Sequence, residues 1–516
     1  MSEQVSFSST AGRWVLATAV LGSGMAFLDG TVVNVALPDI GRDLGATTSS
    51  LQWILNGYLL SLASLILLGG SLGDRHGRRR IFVFGVALFT AASLLCAVAP
   101  SAELLIVARV IQGVGGALLT PGSLAMIESS FRKEDRARAI GAWSGLAGVT
   151  TALGPLLGGY LVDAVSWRAI FVINLPLGLL VMAMATRHVP ETRDPTATGK
   201  LDSPGAVLAA LGLAGTTFAL IEAPDKGGSP LIIASIVIGV GSLIAFLVTE
   251  RRSANPMMPL GMFASRQFSA ANAVTFVVYT ALGGVFFLLV AFLQISMGYS
   301  AIAAGSAALH VTVILLVGSA RSGALAQRIG PRIPLTVGPL VIAAGLLLML
   351  RIDPGDSYVS TILPSIIVFG LGLVLVVAPV TATVLAAADE RHAGIASGIN
   401  NAVSRVGGLL AVAVLPLIAG LTGDAFFDPD SMTDGFHTAV LACALLAAFG
   451  GVLAWFVISN DVLDSNEDSK QGDSDHARSE NHYSCPVSGT PLSTGEFEAL
   501  DGLRRGARPA TAPSES

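Results

Sequence analysis

The chain has 516 residues, of which 53% are hydrophobic and only 13% charged. Soluble globular proteins carry about 25% charged residues, so most of this chain meets lipid rather than water. Ordinary cytosolic enzymes are disfavoured, and a net charge of −5 suits neither DNA nor an anionic membrane surface. The 58 glycines fit helices packed closely in a bilayer. Cys96 and Cys443 lie in apolar runs and Cys485 in a polar stretch, which makes neither a disulfide framework nor a metal site. The first ten residues lack a basic region and a small-residue cleavage site, so no cleaved signal peptide is expected.

A membrane-spanning helix needs about 20 mostly apolar residues. Fourteen segments qualify: 14–37, 51–71, 81–99, 103–127, 138–162, 167–186, 204–223, 231–249, 269–293, 304–321, 333–351, 358–386, 394–419 and 436–458. The alternation of a β-barrel is missing, so the predicted fold is an all-α polytopic membrane protein. Lys and Arg collect on the cytoplasmic side of such chains. Loops on the side of the N-terminus carry Arg75, Arg78, Arg79, Arg80, Arg132, Lys133, Arg136, Arg138, Arg187, Arg193, Lys200, Arg251, Arg252, Arg266, Arg328, Arg332 and Arg391. The opposite loops carry only Arg42, Arg168, Lys226 and Arg351. Both termini are therefore expected in the cytoplasm. Residues 459–516 hold 11 acidic and 5 basic side chains and no long apolar run, and read as a disordered acidic cytoplasmic tail.

One segment recurs. Gly70-Ser-Leu-Gly73-Asp74-Arg75-His-Gly77-Arg78-Arg79 follows the second span, and Gly323-Ala-Leu-Ala-Gln327-Arg328-Ile-Gly330-Pro331-Arg332 follows the tenth. The repeat divides the chain into a cytoplasmic N-terminus (1–13), a six-helix half (14–187), an inserted helix pair (204–249), an amphipathic connector (250–268) and a second six-helix half (269–458). Parallel halves around a central site are a transporter architecture.

Further runs carry a family resemblance. They are Leu28-Asp29-Gly-Thr-Val-Val-Asn34-Val-Ala-Leu-Pro38, Arg109-Val-Ile-Gln112-Gly113, Gly154-Pro155-Leu-Leu-Gly158-Gly159 and Trp167-Arg168-Ala-Ile-Phe-Val-Ile-Asn174-Leu-Pro176-Leu-Gly178. With Gly70–Arg79 in the second loop, the chain resembles the major facilitator superfamily, specifically its fourteen-helix drug:proton antiporter branch, over residues 14–458. The resemblance implies a fold of two six-helix halves plus two inserted helices. It implies that Gly70, Gly73, Asp74, Arg75, Gly77, Arg78 and Arg79 form a gate that stabilises the outward-open state. It implies that Gly154, Pro155, Gly158 and Gly159 seal against leak. Three positions depart from the pattern: Gln327 replaces an acidic residue, Thr150 a glycine and His310 a proline.

Ionisable groups inside spans are costly and are functional candidates by default. Away from the span edges these are Asp29, Arg109, His310 and Arg405, and Asp29 is the one deep carboxylate. Counting 1.5 Å per residue from the outer surface puts Asp29 roughly 12 Å and Arg109 roughly 9 Å deep. The two can therefore interact, directly or through water and Gln112. Burial disfavours charge on a carboxylate and a nearby guanidinium favours it. Moving Arg109 nearer or farther would release or load a proton on Asp29; a static ion pair is the alternative. Arg405 near the midplane could meet an anionic substrate group or anchor a helix. His310 could carry protons or pack as a neutral residue.

Candidate cavity residues are Asn34, Trp53, Asn56, Tyr58, Gln112, Asn174, Asn400, Asn401 and Arg405, among mostly apolar walls. The expected activity is proton-coupled export of bulky hydrophobic or cationic compounds across the cytoplasmic membrane by a monomer. The expected partners are a small-molecule substrate, protons and the lipid bilayer, with no nucleic acid. No cofactor is expected, because the proton gradient drives the cycle. The four lysines form no GxxxxGK[ST] phosphate loop, so ATP is not expected either. No nucleophile–base constellation points to an enzyme. The rival readings are export of an endogenous lipid, siderophore or self-made antibiotic, and a non-transporting sensor or scaffold.

Overall fold

The structure, a computed structural model, describes residues 5–193, 202–253, 256–388 and 393–460. The tail from 461 onward, and with it most of the expected disordered segment, lies outside the described residues, as do Lys200 and Arg391. Fourteen long helices run through the described residues. The first six are α1 (Thr10–Leu44), α2 (Thr48–His76), α3 (Arg78–Ala97), α4 (Ala102–Ser130), α5 (Lys133–Ala164) and α6 (Ala169–His188). The inserted pair is α7 (Ser203–Lys226) and α8 (Pro230–Arg252). The last six are α9 (Arg266–Ile295), α10 (Ala301–Ile329), α11 (Arg332–Met349), α12 (Tyr358–Ala386), α13 (Ala393–Ile418) and α14 (Pro429–Val457). Among the described residues, 13 helices are long and apolar enough to cross a membrane. The 32-residue α5 brings the long helices to fourteen.

Most helices outrun their hydropathy windows, because backbone hydrogen bonding continues into the polar interface where apolar composition stops. Side-chain caps set several starts. Ser9, Thr47, Ser101, Ser265, Ser300 and Asp428 each accept a backbone N–H from the first turn. Before α1, Val5 exchanges backbone hydrogen bonds with the α4–α5 corner, donating to Ser130 at 2.8 Å and accepting from Arg132 at 3.1 Å. The connector is partly helix at both ends; between them Met258, Met262 and Phe263 lie against the core.

The two halves repeat their packing. α2 packs on α4, α3 on α4, α1 on α5 and α3 on α6; α10 packs on α12, α11 on α12, α9 on α13 and α11 on α14. The repeated loop is also repeated in detail. Gly77 (φ +110°) and Gly330 (φ +78°) both occupy the left-handed region that only glycine enters freely. A Cβ on Gly77 would stand 2.6 Å from Glu191 Oε1, and one on Gly330 would collide with the Asn460 amide. Two residues on, the backbone N–H of Arg79 donates to Glu191 and that of Arg332 to Asn460, each at 3.2 Å. Their side chains donate to the Val189 and Trp455 carbonyls. The halves meet crosswise, α2 on α13 and α5 on α10, while α7 leans on α2 and α13.

Candidate functional site

Four helices bring polar groups together in the N-terminal half. Asp29 comes from α1, Ser93 and Cys96 from α3, Arg109 and Gln112 from α4, and Asn174 from α6. Asp29 is 0% and Arg109 1% exposed, so the pair is cut off from bulk solvent. Arg109 Nη1 donates to Asp29 Oδ2 and, at 2.7 Å, to Gln112 Oε1. Arg109 Nε donates to the Ile54 carbonyl at 3.0 Å. Gln112 Nε2 donates to Asp29 Oδ1 at 2.8 Å and to Ser93 Oγ at 2.9 Å. Asn174 Nδ2 reaches the same two oxygens at 3.3 Å. The Arg109 guanidinium lies 4.3 Å above the Tyr58 ring, whose hydroxyl donates to the Ala26 carbonyl. Three donors thus aim at one deep carboxylate, and the ion pair is anchored at both ends.

The C-terminal half presents different polar groups. Arg405 on α13 is half-buried and donates through Nε to Asn401 Oδ1 at 2.8 Å. Asn400 Nδ2 donates to Thr275 Oγ1 at 2.8 Å and Asn272 Oδ1 at 3.2 Å on α9. Asn56 on α2 is fully buried, and neither atom of its amide has a hydrogen-bond partner. Asn34 on α1 is half-buried.

The Major Facilitator Superfamily model matches residues 19–412. The chain belongs to the major facilitator superfamily. Over 88% of its length it is 35% identical to the puromycin resistance protein pur8 of Streptomyces alboniger, covering 93% of that protein. It is 35% identical to the multidrug resistance protein Stp of Mycobacterium tuberculosis, covering 79% of this chain and 76% of that protein. It is 37% identical to the tetracenomycin C resistance and export protein of Streptomyces glaucescens, covering 80% and 77%. Among solved structures, the peptide transporter POT in complex with sulfate shares the fold at TM-score 0.66 and 16% identity, over 89% of this chain and 98% of that one. A bacterial homologue of the human lysosomal transporter Spinster shares it at 0.64 and 18%, over 87% and 97%.

In this major facilitator chain the side-chain hydrogen bonds between halves, among the described residues, gather where α1 ends and α2 begins. Gln52 Nε2 donates to the Val412 and Ala413 carbonyls on α13, at 2.7 and 3.2 Å. Thr48 donates to the Gly423 carbonyl, and Gln294 on α9 to the Val35 carbonyl. Asp163 at the end of α5 accepts the first backbone N–H groups of α10, from Ala301 and Ile302, at 3.1 and 2.9 Å. The glycine–proline run of α5 works on two sides here. Cβ atoms at Gly154 and Gly158 would strike Thr31 and Val32 of α1. One at Gly159 would stand 2.5 Å from backbone atoms of Ala301 and Ile302, and Gly305 in turn fits against the Pro155 carbonyl.

The gate loop pairs inside its own half. Arg78 binds Asp74 at 2.7 Å, and Arg79 and Arg80 approach Glu191 at 3.6 and 3.7 Å. Arg75 is half-buried beside them. Close approach is expected at Gly70, Gly73 and Gly77, and the structure shows it at Gly77, against Glu191, but not at Gly70 or Gly73. A Cβ at Gly70 or Gly73 would meet only ordinary neighbours at 3.6 Å or more, whereas one at Gly69 would collide with the Ala117 carbonyl of α4. The hydrogen bonds between the halves described above lie at the opposite end.

Other expected cavity residues sit elsewhere too. Gln112 and Asn174 belong to the Asp29 network, because their amides supply the donors its carboxylate needs. Trp53 turns away from the centre; its Nε1 donates to Glu222 Oε1 on α7 at 2.9 Å. His310 meets the Tyr358 hydroxyl at 3.0 Å beside a cavity of about 420 Å³, whose Val313 and Ile367 are exposed on the outer surface of the bundle. Sequence reasoning did not single out Ser93, Asp163 or Glu191. Asp43 was likewise missed: it accepts from Trp167 Nε1 at 2.9 Å and Arg168 Nη1 at 2.6 Å, fixing the end of α1 to the start of α6.

Proposed function

We propose that this chain is a proton-coupled antiporter that exports bulky amphipathic organic compounds, drugs and antibiotics among them, by alternating access. The observation that carries the reading is the single deep carboxylate, Asp29, held by a guanidinium and two amides from other helices in a fully buried site. Such a group is costly in a membrane unless it does work. Protonating Asp29 removes the charge that holds Arg109, so proton occupancy and the packing of α1 on α4 are linked. Hydrogen bonds between the halves that gather, among the described residues, at one end support a rocking cycle that opens each end in turn. Relatives named for puromycin, multidrug and tetracenomycin C resistance support the substrate class. The Lys and Arg asymmetry of the loops supports a cytoplasmic membrane location with both termini inside. The exporter acts as a monomer, needs no cofactor or ATP, and has no enzymatic step. A relative named as both a resistance and an export protein for one antibiotic favours a second reading, export of a self-made antibiotic.

The test is dye efflux from proteoliposomes under an imposed pH gradient, with wild type and Asp29→Asn. Wild-type efflux should collapse with a protonophore, and Asp29→Asn should fold, bind dye and fail to couple. Undiminished proton-driven efflux by Asp29→Asn would overturn the proposal.

A further inference from the structure

Asp29 and Arg109 neutralise each other, and His310 is occupied with Tyr358 at the outer surface. Arg405 is left with no carboxylate among the described residues. Its one described hydrogen bond uses Nε, so the four N–H groups of its outer fork remain for something else. Tyr58 of α2 and Tyr279 of α9 lie within electrostatic reach of it. The helix register places a second polar group nearby. Gln52 faces Val412 and Ala413, and Leu67 lies against Gly398, so α2 and α13 run antiparallel with position 60 opposite Arg405. Asn56 is one turn from that position, on the same face of α2, and it is the buried amide with no partner on either atom. The outer fork of Arg405 and the Asn56 amide have no partner among the described residues and lie one turn apart on two helices that meet across the halves, where one ligand group could bind both.

We propose that Arg405 and Asn56 form an anion subsite where α2 meets α13 between the halves, reached as that contact loosens in the transport cycle, which takes the acidic group, a carboxylate or ionised phenol, of an amphipathic substrate. The proposal rests on the export reading and narrows it. Arg405 offers a planar fork that matches a carboxylate in two-point geometry, and Asn56 offers a donor to the same group and an acceptor to its neighbour. Among the described residues Arg405 is the deep charge without an opposite partner, so the site disfavours organic cations and draws acids. With the orientation given above, an anion leaving and a proton entering both move as a negative-inside membrane potential drives them.

The test uses three probes with one apolar body: 9-anthracenecarboxylate, its carboxamide and 9-aminomethylanthracene. Binding to the full chain in nanodiscs is read by fluorescence at neutral pH. Wild type should hold the carboxylate at least about tenfold tighter than the amine. In Arg405→Gln the carboxylate-to-carboxamide ratio should fall to about one, and in Arg405→Lys part of the preference should survive. Asn56→Leu should weaken the carboxylate more than the amine. Equal binding of the three probes by wild type, or a carboxylate preference that persists in Arg405→Gln, overturns the subsite. The wild-type comparison decides the matter even where a variant fails to fold. A chain that selects the carboxylate but exports nothing under a proton gradient would keep the subsite and lose the antiporter reading.

Discussion

Ser93 shows how a plain residue enters a charge site. Its hydroxyl donates to the Phe89 carbonyl one turn back at 2.8 Å and accepts from both Gln112 and Asn174. In sequence it is one serine in an apolar span, and serines inside such helices commonly bond their own backbone. Asp29 and Arg109 were legible because charge is rare in a span; Ser93 and Cys96 were not, since their role exists only where α3 meets α4. Removing the Ser93 hydroxyl leaves two amide donors in a buried site short of an acceptor, which costs about 1–3 kcal/mol. Ser93→Ala should therefore lower the unfolding temperature of the purified protein and slow proton-driven efflux, whereas Ser235→Ala on the exposed face of α8 should do neither. Equal unfolding temperatures for Ser93→Ala and wild type would mean that the network does not depend on this hydroxyl.

At the scale of one element, α5 separates glycines that matter from glycines that do not. The run 154–159 was readable as a small-residue seam, but its partners were not, because α1 and α10 are distant in sequence. Gly159 touches the backbone of α10, which cannot give way as a side-chain tip can. Gly141 and Gly145, on the same helix, have nothing within 4 Å of a new Cβ. Adding a methyl into a packed seam costs about 1–3 kcal/mol, while replacing an uncrowded mid-helix glycine gains about 0.5–1 kcal/mol. Gly159→Ala should thus lower thermal stability and efflux, and Gly141→Ala should raise stability. Thermal unfolding of the two variants side by side checks both signs at once.

For the whole molecule, composition gave the solvent, hydropathy the fourteen helices, and the repeated loop the division into halves. The conformation was not legible, because one sequence must serve two packings and each end closes in turn. The structure is joined where α1 meets α2, by Gln52, Thr48, Gln294 and Asp163, while Arg78 and Arg79 of the gate pair within their own half. If these contacts bias a two-state equilibrium, loosening one should shift populations without touching the Asp29 network. Asp163 suits the purpose, since its carboxylate caps α10 across the halves from an exposed position. Solvent weakens such a bond, so its loss is worth about 1 kcal/mol, or about a fivefold shift in the ratio of the two conformations. Spin labels placed on α5 and α10 at that end should show one dominant short distance in wild type. Asp163→Ala should add a longer distance in about that proportion, and acid pH should redistribute the two peaks in Asp163→Ala but not when Asp29→Asn is added. Identical distance distributions in wild type and Asp163→Ala would show that this end is held by the glycine seam alone, and would move the control of opening from the Asp163 cap to the packing of α5 on α10.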